Sequence, residues 1–353
     1  MAGGRILIVV TLLRLGAYSL RLNDLCSTFD SRLGRCVAAE SCNLIGRIQQ
    51  LAPHLRSSAD SFLLMHSECG SQGHRGEKLF CCPILANEEK CGTNTIANRI
   101  HGGTETEFGE HPWAVQLVYK LGGNRYQSPC SGVLISERYV LTAAHCAESV
   151  PSSWKLVHVL VAKWGPDECV TIEEDRVCSR RYEIEQTIVH SSFDKDSISL
   201  PNDIALLKLK EAVKYGKYIR PVCLPLERSI RSLPVDKEEF TVVGWGQTDD
   251  GTKSKQLMQV VLTGKPIQDC RTVFNPRKLS ITDMQLCVGG EEGKDSCRGD
   301  SGGPLMRQVR GVWYLAGLVS FGELQCGHKD HPSVYTNVAE YVDWIEDCVA
   351  ESQ

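Results

Sequence analysis

The run Asp295-Ser296-Cys297-Arg298-Gly299-Asp300-Ser301-Gly302-Gly303-Pro304 sets a hydroxyl among glycines, with two acids before it, Asp295 and Asp300, and a cysteine to pin the loop. A serine hydroxyl is a weak nucleophile near neutral pH and needs an oriented base to take its proton. The chain supplies a base at His145, in Leu141-Thr142-Ala143-Ala144-His145-Cys146, and a carboxylate able to orient it at Asp203, in Asn202-Asp203-Ile204-Ala205-Leu206-Leu207. Such a set performs acyl transfer: the serine attacks a carbonyl, the histidine moves the proton, and the aspartate holds the imidazole in one tautomer.

Gly299-Asp300-Ser301-Gly302-Gly303 also fits the nucleophile elbow of α/β-hydrolases, whose acid and histidine follow the serine. Here only His328 and His331 follow, too near the C-terminus for the rest of that fold. The order His145, Asp203, Ser301 is that of the chymotrypsin-like serine proteases, and from Ile100 onward the sequence resembles that family. The resemblance implies an oxyanion hole from the backbone N–H groups of Gly299 and Ser301, with Ser320 as hydroxyl partner of the aspartate. It places Asp295 at the base of the specificity pocket, Ser296 beside it and Gly322 on its wall. A carboxylate at the bottom of a narrow cleft is costly unless met by a cation, so cleavage after Arg or Lys is expected. Ser333 stands where trypsin has a pocket-wall glycine, which implies a crowded base and slower turnover. Arg298, beside the nucleophile, is a candidate for favouring acidic residues near the cut.

These residues must be held by a scaffold, and beyond Ile100 the chain reads as short β segments broken by Gly and Pro. Ala114–Tyr119, Lys155–Val161 and Gly311–Val319 are examples. The pattern is all-β without separating a sandwich from a barrel. The family resemblance implies a double six-stranded antiparallel β-barrel with the site in the cleft between barrels. Tyr341–Cys348 has the period of a closing amphipathic helix.

A chain of 353 residues suggests two domains. Its formal net charge of −4 gives no reason to expect nucleic acid or an anionic membrane as partner. Seventeen cysteines are too many for a reducing compartment. Residues 1–19 read as a signal peptide: Arg5 precedes the apolar run Ile6–Leu13, and Ala17-Tyr18-Ser19 supplies small residues for cleavage. A secreted protein is the expectation.

Residues 26–82 hold Cys26, Cys36, Cys42, Cys69, Cys81 and Cys82 in a region too small for a large core, so disulfides must carry much of its stability. Spacing alone permits fifteen pairings. No matched CxxC pair supports a metal site instead. The pattern resembles the clip domain of arthropod proteases, which implies Cys26–Cys81, Cys36–Cys69 and Cys42–Cys82. Leu44–Leu51 is expected as a short helix ended near Pro53. Residues 83–99 read as a polar linker, and Arg99-Ile100 as an activation bond, since exposed segments are where proteases cut. Domain 100–353 then begins at Ile100-His101-Gly102-Gly103. The family precedent is that the freed amine turns inward to pair with Asp300, two groups that are each costly to bury alone.

In the second region the resemblance implies Cys130–Cys146, Cys270–Cys287, Cys297–Cys326, the tether Cys91–Cys223 and a local bridge Cys169–Cys178. Phe240 and Arg307 stand where many vertebrate relatives have a further pair. Cys348 is left over, and its stripe with Tyr341 and Ile345 favours a buried thiol over an intermolecular disulfide. No cofactor is required by the chemistry. Calcium is the one ion considered, because Glu173-Glu174-Asp175 lies in a loop that binds it in some relatives, while Lys163 stands where those relatives supply a glutamate.

The expectation is therefore a secreted zymogen of a trypsin-like serine endopeptidase, cut after Arg99, and the resemblance implies a place in an extracellular (haemolymph) cascade of innate immunity. The resemblance implies prophenoloxidase, a cytokine-like Toll ligand precursor or another clip protease as substrate, an upstream activating protease and a serpin inhibitor. The competing class is a non-catalytic clip-domain adaptor, against which the presence of His145, Asp203 and Ser301 argues.

Overall fold

The computed structural model describes residues 20–72, 76–94, 104–172, 175–248, 251–323 and 326–352. The expected signal peptide, the Arg99-Ile100 bond, Glu173 and Glu174 lie outside them. The chain divides into two compact units, one ending at Ala86 and the other starting at Asn87.

The first unit is a four-stranded antiparallel sheet with two helices. Its elements are β1 (Leu25–Ser27), β2 (Leu33–Ala38), α1 (Asn43–Gln50), α2 (Ser58–His66), β3 (Glu68–Gln72) and β4 (Glu77–Pro83). The strand order is β1-β2-β4-β3. Cys26 is bonded to Cys81, Cys36 to Cys69 and Cys42 to Cys82. These bridges surround a small core of Ala39, Ile45 and Phe80. Helix α1 spans the expected segment within a residue at each end. Helix α2 was not anticipated, although its signal is in the sequence: the Ser57 hydroxyl accepts from Asp60 N–H and Asp60 accepts from Ser57 N–H, a reciprocal cap.

The second unit contains β5 (Thr104–Glu105), β6 (Ala114–Lys120), β7 (Tyr126–Leu134), β8 (Tyr139–Thr142), α3 (Ala144–Glu148), β9 (Lys155–Val161), β10 (Cys169–Ile172), β11 (Asp175–Cys178), β12 (Arg180–Val189) and β13 (Ala205–Leu209). It continues through α4 (Arg228–Arg231), β14 (Glu239–Gly244), β15 (Met258–Lys265), α5 (Ile267–Phe274), β16 (Gln285–Gly289), β17 (Pro304–Val309), β18 (Val312–Phe321), β19 (Pro332–Asn337) and α6 (Val342–Ser352). Strands β12-β13-β8-β7-β6-β9 close one barrel. Strands β14-β17-β18-β19-β16-β15 close the other through the β14–β15 pairing, with β5 added beside β15.

The two-residue period sets these strands. In β6, Val115, Leu117 and Tyr119 are all fully buried, and in β18 Trp313, Leu315 and Val319 face inward. Phe240, Val242, Leu262, Leu286 and Leu305 fill the second barrel, each contributing about 1.5–3 kcal/mol by burial. Phe240 and Arg307, which the resemblance sets where many vertebrate relatives have a cysteine pair, meet instead in a cation–π contact, with the guanidinium 4.6 Å from the ring centroid. Cys91–Cys223, Cys130–Cys146, Cys169–Cys178, Cys270–Cys287 and Cys297–Cys326 are bonded, and Cys348 is buried on α6.

Residues 87–94, read above as linker, are fastened to the second unit. Asn87 donates to the Leu224 carbonyl and accepts from its N–H, and Tyr215 donates to Glu88. Gly92 exchanges backbone bonds with Trp313 and Pro221. Polar side chains here satisfy backbone groups instead of meeting water.

Candidate active site

His145 is carried on the short α3, which begins where β8 leaves the first barrel. Asp203 ends the loop that enters β13. Both strands are paired in the same barrel, Ala205 opposite Thr142, so the two side chains arrive together. Asp203 is 1% exposed and its oxygens are fully used. One accepts from the His145 backbone N–H at 2.8 Å. The other meets His145 Nδ1 at 2.8 Å and accepts from the Ser320 hydroxyl at 2.6 Å. The Thr336 hydroxyl donates to the Asp203 carbonyl. With Nδ1–H donating to the carboxylate, Nε2 is left as the free base. Burial opposes a proton on His145, but the adjacent Asp203 charge and its hydrogen bond outweigh that and raise the imidazole above its ordinary value.

Ser301 comes from the second barrel, in the loop before β17. It is tied across to the first: Ser131 N–H donates to the Ser301 carbonyl at 2.8 Å. Cys146 Sγ lies 3.7 Å from His145 Nε2 and 3.6 Å from the Ser301 carbonyl, which brings base and nucleophile loops against one disulfide. Gly302, at φ +74°, passes so close to Thr142 that any Cβ would collide with its hydroxyl. Gly299 has φ +109°, a conformation open to glycine. The cluster Cys130, His145 and Cys146 has metal-like proximity, but both sulfurs are committed to a disulfide.

Asp295 lies below this loop. One oxygen accepts from Ser296 N–H at 2.8 Å and from the Ser333 hydroxyl at 2.9 Å; the other accepts from Gly327 N–H at 3.3 Å. Burial pushes its carboxyl up to about 6, with those hydrogen bonds opposing. Ser333 is itself buried and crosses toward Gly322, where a Cβ would collide with its hydroxyl. Ser296 is bonded at 3.0 Å to the hydroxyl of Tyr335, a fully buried residue of the second barrel's core that no local motif announces.

Asp300 points the other way. It accepts from Gly246 N–H at 2.7 Å and Cys297 N–H at 2.9 Å, and side chains at Gly244 or Gly246 would collide with it. Burial pushes its carboxyl up, against those two bonds and the charge of Lys253. Neither Asp295 nor Asp300 has an ion-pair partner among the described residues. A cavity of about 500 Å³ reaches both, bordered by Gly244, Gly246, Lys294 and Cys297.

Comparison with known proteins agrees with this arrangement. The trypsin family model matches residues 100–345 and the regulatory clip domain of proteinases matches residues 26–82. The chain is 42% identical to CLIP domain-containing serine protease B15 of Anopheles gambiae, over 93% of this chain and 91% of that one. It is 33% identical to phenoloxidase-activating factor 3 of Holotrichia diomphalia, covering 96% and 98% respectively. The crystal structure of the Drosophila Grass clip serine protease of the Toll pathway superposes with a TM-score of 0.65 at 29% identity, covering 94% of this chain and 99% of that chain.

Proposed function

The chain belongs to the trypsin family of serine endopeptidases, in the branch that carries a clip domain, and from that premise we propose a secreted zymogen that is cut after Arg99 and then cleaves protein substrates after Arg or Lys. Ser301 is the nucleophile, His145 the base and then the acid, Asp203 the orienting group, and the N–H groups of Gly299 and Ser301 bind the oxyanion. The reading is carried by two buried carboxylates in the nucleophile loop, Asp295 and Asp300, each pushed up by burial and neither in an ion pair among the described residues. Substrate supplies the cation for Asp295. The new amino terminus at Ile100 supplies the one for Asp300.

Eight disulfides among the described residues fit an oxidising compartment, and none of those residues forms a helix long and apolar enough to cross a membrane. The names of the relatives, one for phenoloxidase activation and one for the Toll pathway, support a place in an immune cascade; prophenoloxidase, a Toll ligand precursor or another clip protease is proposed as substrate and a serpin as inhibitor. Cutting purified protein at Arg99 should produce hydrolysis of an arginyl ester and organophosphate labelling of Ser301; hydrolysis by the uncut chain at the same rate would remove the zymogen.

Ser333 tunes the pocket. Its hydroxyl holds one oxygen of Asp295 and its bulk narrows the slot at Gly322, so the broad guanidinium fork is hindered more than a slender ammonium. Ser333→Gly should raise the arginine-over-lysine ratio of kcat/KM about tenfold. It also removes a bond that favours the charged carboxylate. KM for cationic substrates rises as pH falls through about 6, where Asp295 takes a proton, and in Ser333→Gly that rise should begin at higher pH. An unchanged ratio with an unchanged KM profile would leave Ser333 as packing alone.

The calcium loop is read as needing no metal. The Lys163 ammonium donates to the carbonyls of Pro166 at 3.0 Å and Asp167 at 3.1 Å, so a fixed cation already serves oxygens a divalent ion would seek. Neither EDTA nor millimolar calcium should move Tm; a rise of more than about 2–4 °C with calcium, worth about 1 kcal/mol, counts against this.

A further inference from the structure

We propose that Lys253 is a specificity-determining residue on the leaving-group side of the cleft, selecting substrates with Asp or Glu in the first positions after the scissile bond. The inference rests on the protease reading above and extends it to the other half of the substrate.

The direction of the bound chain follows from the site. With the basic side chain at Asp295 and the carbonyl oxygen at Gly299 and Ser301, the leaving amine must face His145 Nε2. The segment beyond it runs out past the Cys130–Cys146 bridge, whose Cys146 sulfur sits 3.7 Å from that nitrogen. Ser128, two residues before Cys130 on β7, borders this exit. Lys253 Nζ donates to the Ser128 carbonyl at 3.2 Å. On its other side, Lys253 Cε and Nζ lie 3.4 Å from where a side chain at Gly299 would begin. The ammonium therefore bridges the two elements that bound the exit, the start of β7 and the oxyanion loop.

Its placement is built. A bridge pairs Gln247 with Lys253, and Ser254 N–H donates to the Gly246 carbonyl at 3.0 Å, which fixes the backbone on either side of the lysine. The side chain is held by a neutral carbonyl and forms no ion pair with a carboxylate among the described residues. Asp300 acts on it only from beneath the loop, offsetting in part the burial that lowers its pKa. Arg298, exposed on the next turn of the same loop, adds a second positive charge. Two cations flanking one exit attract an acidic leaving segment and repel a basic one.

The test uses the Arg99-cut enzyme and matched peptides with arginine before the bond and Asp, Asn or Lys in the second position after it. A small arginyl amide, with nothing beyond the bond, is the reference. Wild type should prefer Asp over Lys by about tenfold in kcat/KM, less at high salt. Lys253→Gln should lose at least about fivefold of that preference relative to the amide, and Lys253→Arg should keep it. Equal ratios in wild type and Lys253→Gln overturn the proposal. So does a loss in Lys253→Gln that is as large for the amide as for the acidic peptide, since that marks a support for Asp300. Wild type that cannot hydrolyse the amide at all would instead sink the protease reading itself.

Discussion

Asp203→Asn should lower kcat by about 10⁴-fold while leaving KM and the fold nearly unchanged, a magnitude taken from the corresponding change in serine proteases of this kind. The reason lies in how the carboxylate is occupied. Its two oxygens receive three donors: the His145 backbone N–H, His145 Nδ1–H and the Ser320 hydroxyl. An amide has one oxygen and one NH₂. If its oxygen stays on the His145 backbone N–H, the NH₂ faces Nδ1, and the imidazole must place its proton on Nε2 to accept. The base is then blocked on the side that serves Ser301. Deprotonating Ser301 by hydroxide becomes the remaining route, so activity should climb with pH well beyond the wild-type plateau. The wild-type acid limb should sit above the ordinary histidine value, since Asp203 raises His145. Steady-state kinetics from acid to alkaline pH, with circular dichroism to check the fold, decides it. A loss below tenfold would mean that Asp203 only packs.

The residues proposed for catalysis, His145, Asp203 and Ser301, are legible because each sits in a short motif whose types are chemically demanding, and because their order along the chain separates one fold from another. Cysteine positions carry as much again, because each of the eight bridges among the described residues joins a pair that the clip and protease patterns imply. What was not readable depends on contacts between distant segments. Lys253 carries no local signal; only the turn that lays it against Gly299 and Ser128 gives it a place. Tyr335 is similar, because its hydroxyl matters only through Ser296. The polar composition of residues 87–94 gives no sign that Asn87 satisfies both backbone groups of Leu224. Helix α2 is a different kind of miss. The Ser57 and Asp60 pair announces its start, in a segment whose dense cysteines point first to disulfides.

Cutting at Arg99 should raise stability near neutral pH as well as switch on activity, and both gains should vanish in Asp300→Asn. In the uncut chain Asp300 is buried, held by two backbone N–H groups, and pushed up by burial. An acid whose folded pKa exceeds its unfolded value binds more protons folded than unfolded, so it costs stability as pH rises from the ordinary value of 3.8 through the raised one. Asp295, at about 6, adds a cost of the same sign over roughly pH 4–6. When an ammonium enters the cavity beside Asp300, that carboxyl falls below its ordinary value and its contribution reverses, present above the unfolded pKa and lost as pH drops. The difference in Tm between cut and uncut protein should therefore be several degrees near about pH 7 and shrink toward about pH 4. Removing one member of a buried pair costs about 3–5 kcal/mol, so cut Asp300→Asn should be about 10³-fold less active than cut wild type. Its cleavage at Arg99 should proceed normally, which separates failed switching from failed processing. Calorimetry on both forms, with and without the substitution, reads the stability directly. A Tm difference that is flat with pH, or that survives in Asp300→Asn, would place the energy of activation somewhere other than this carboxylate.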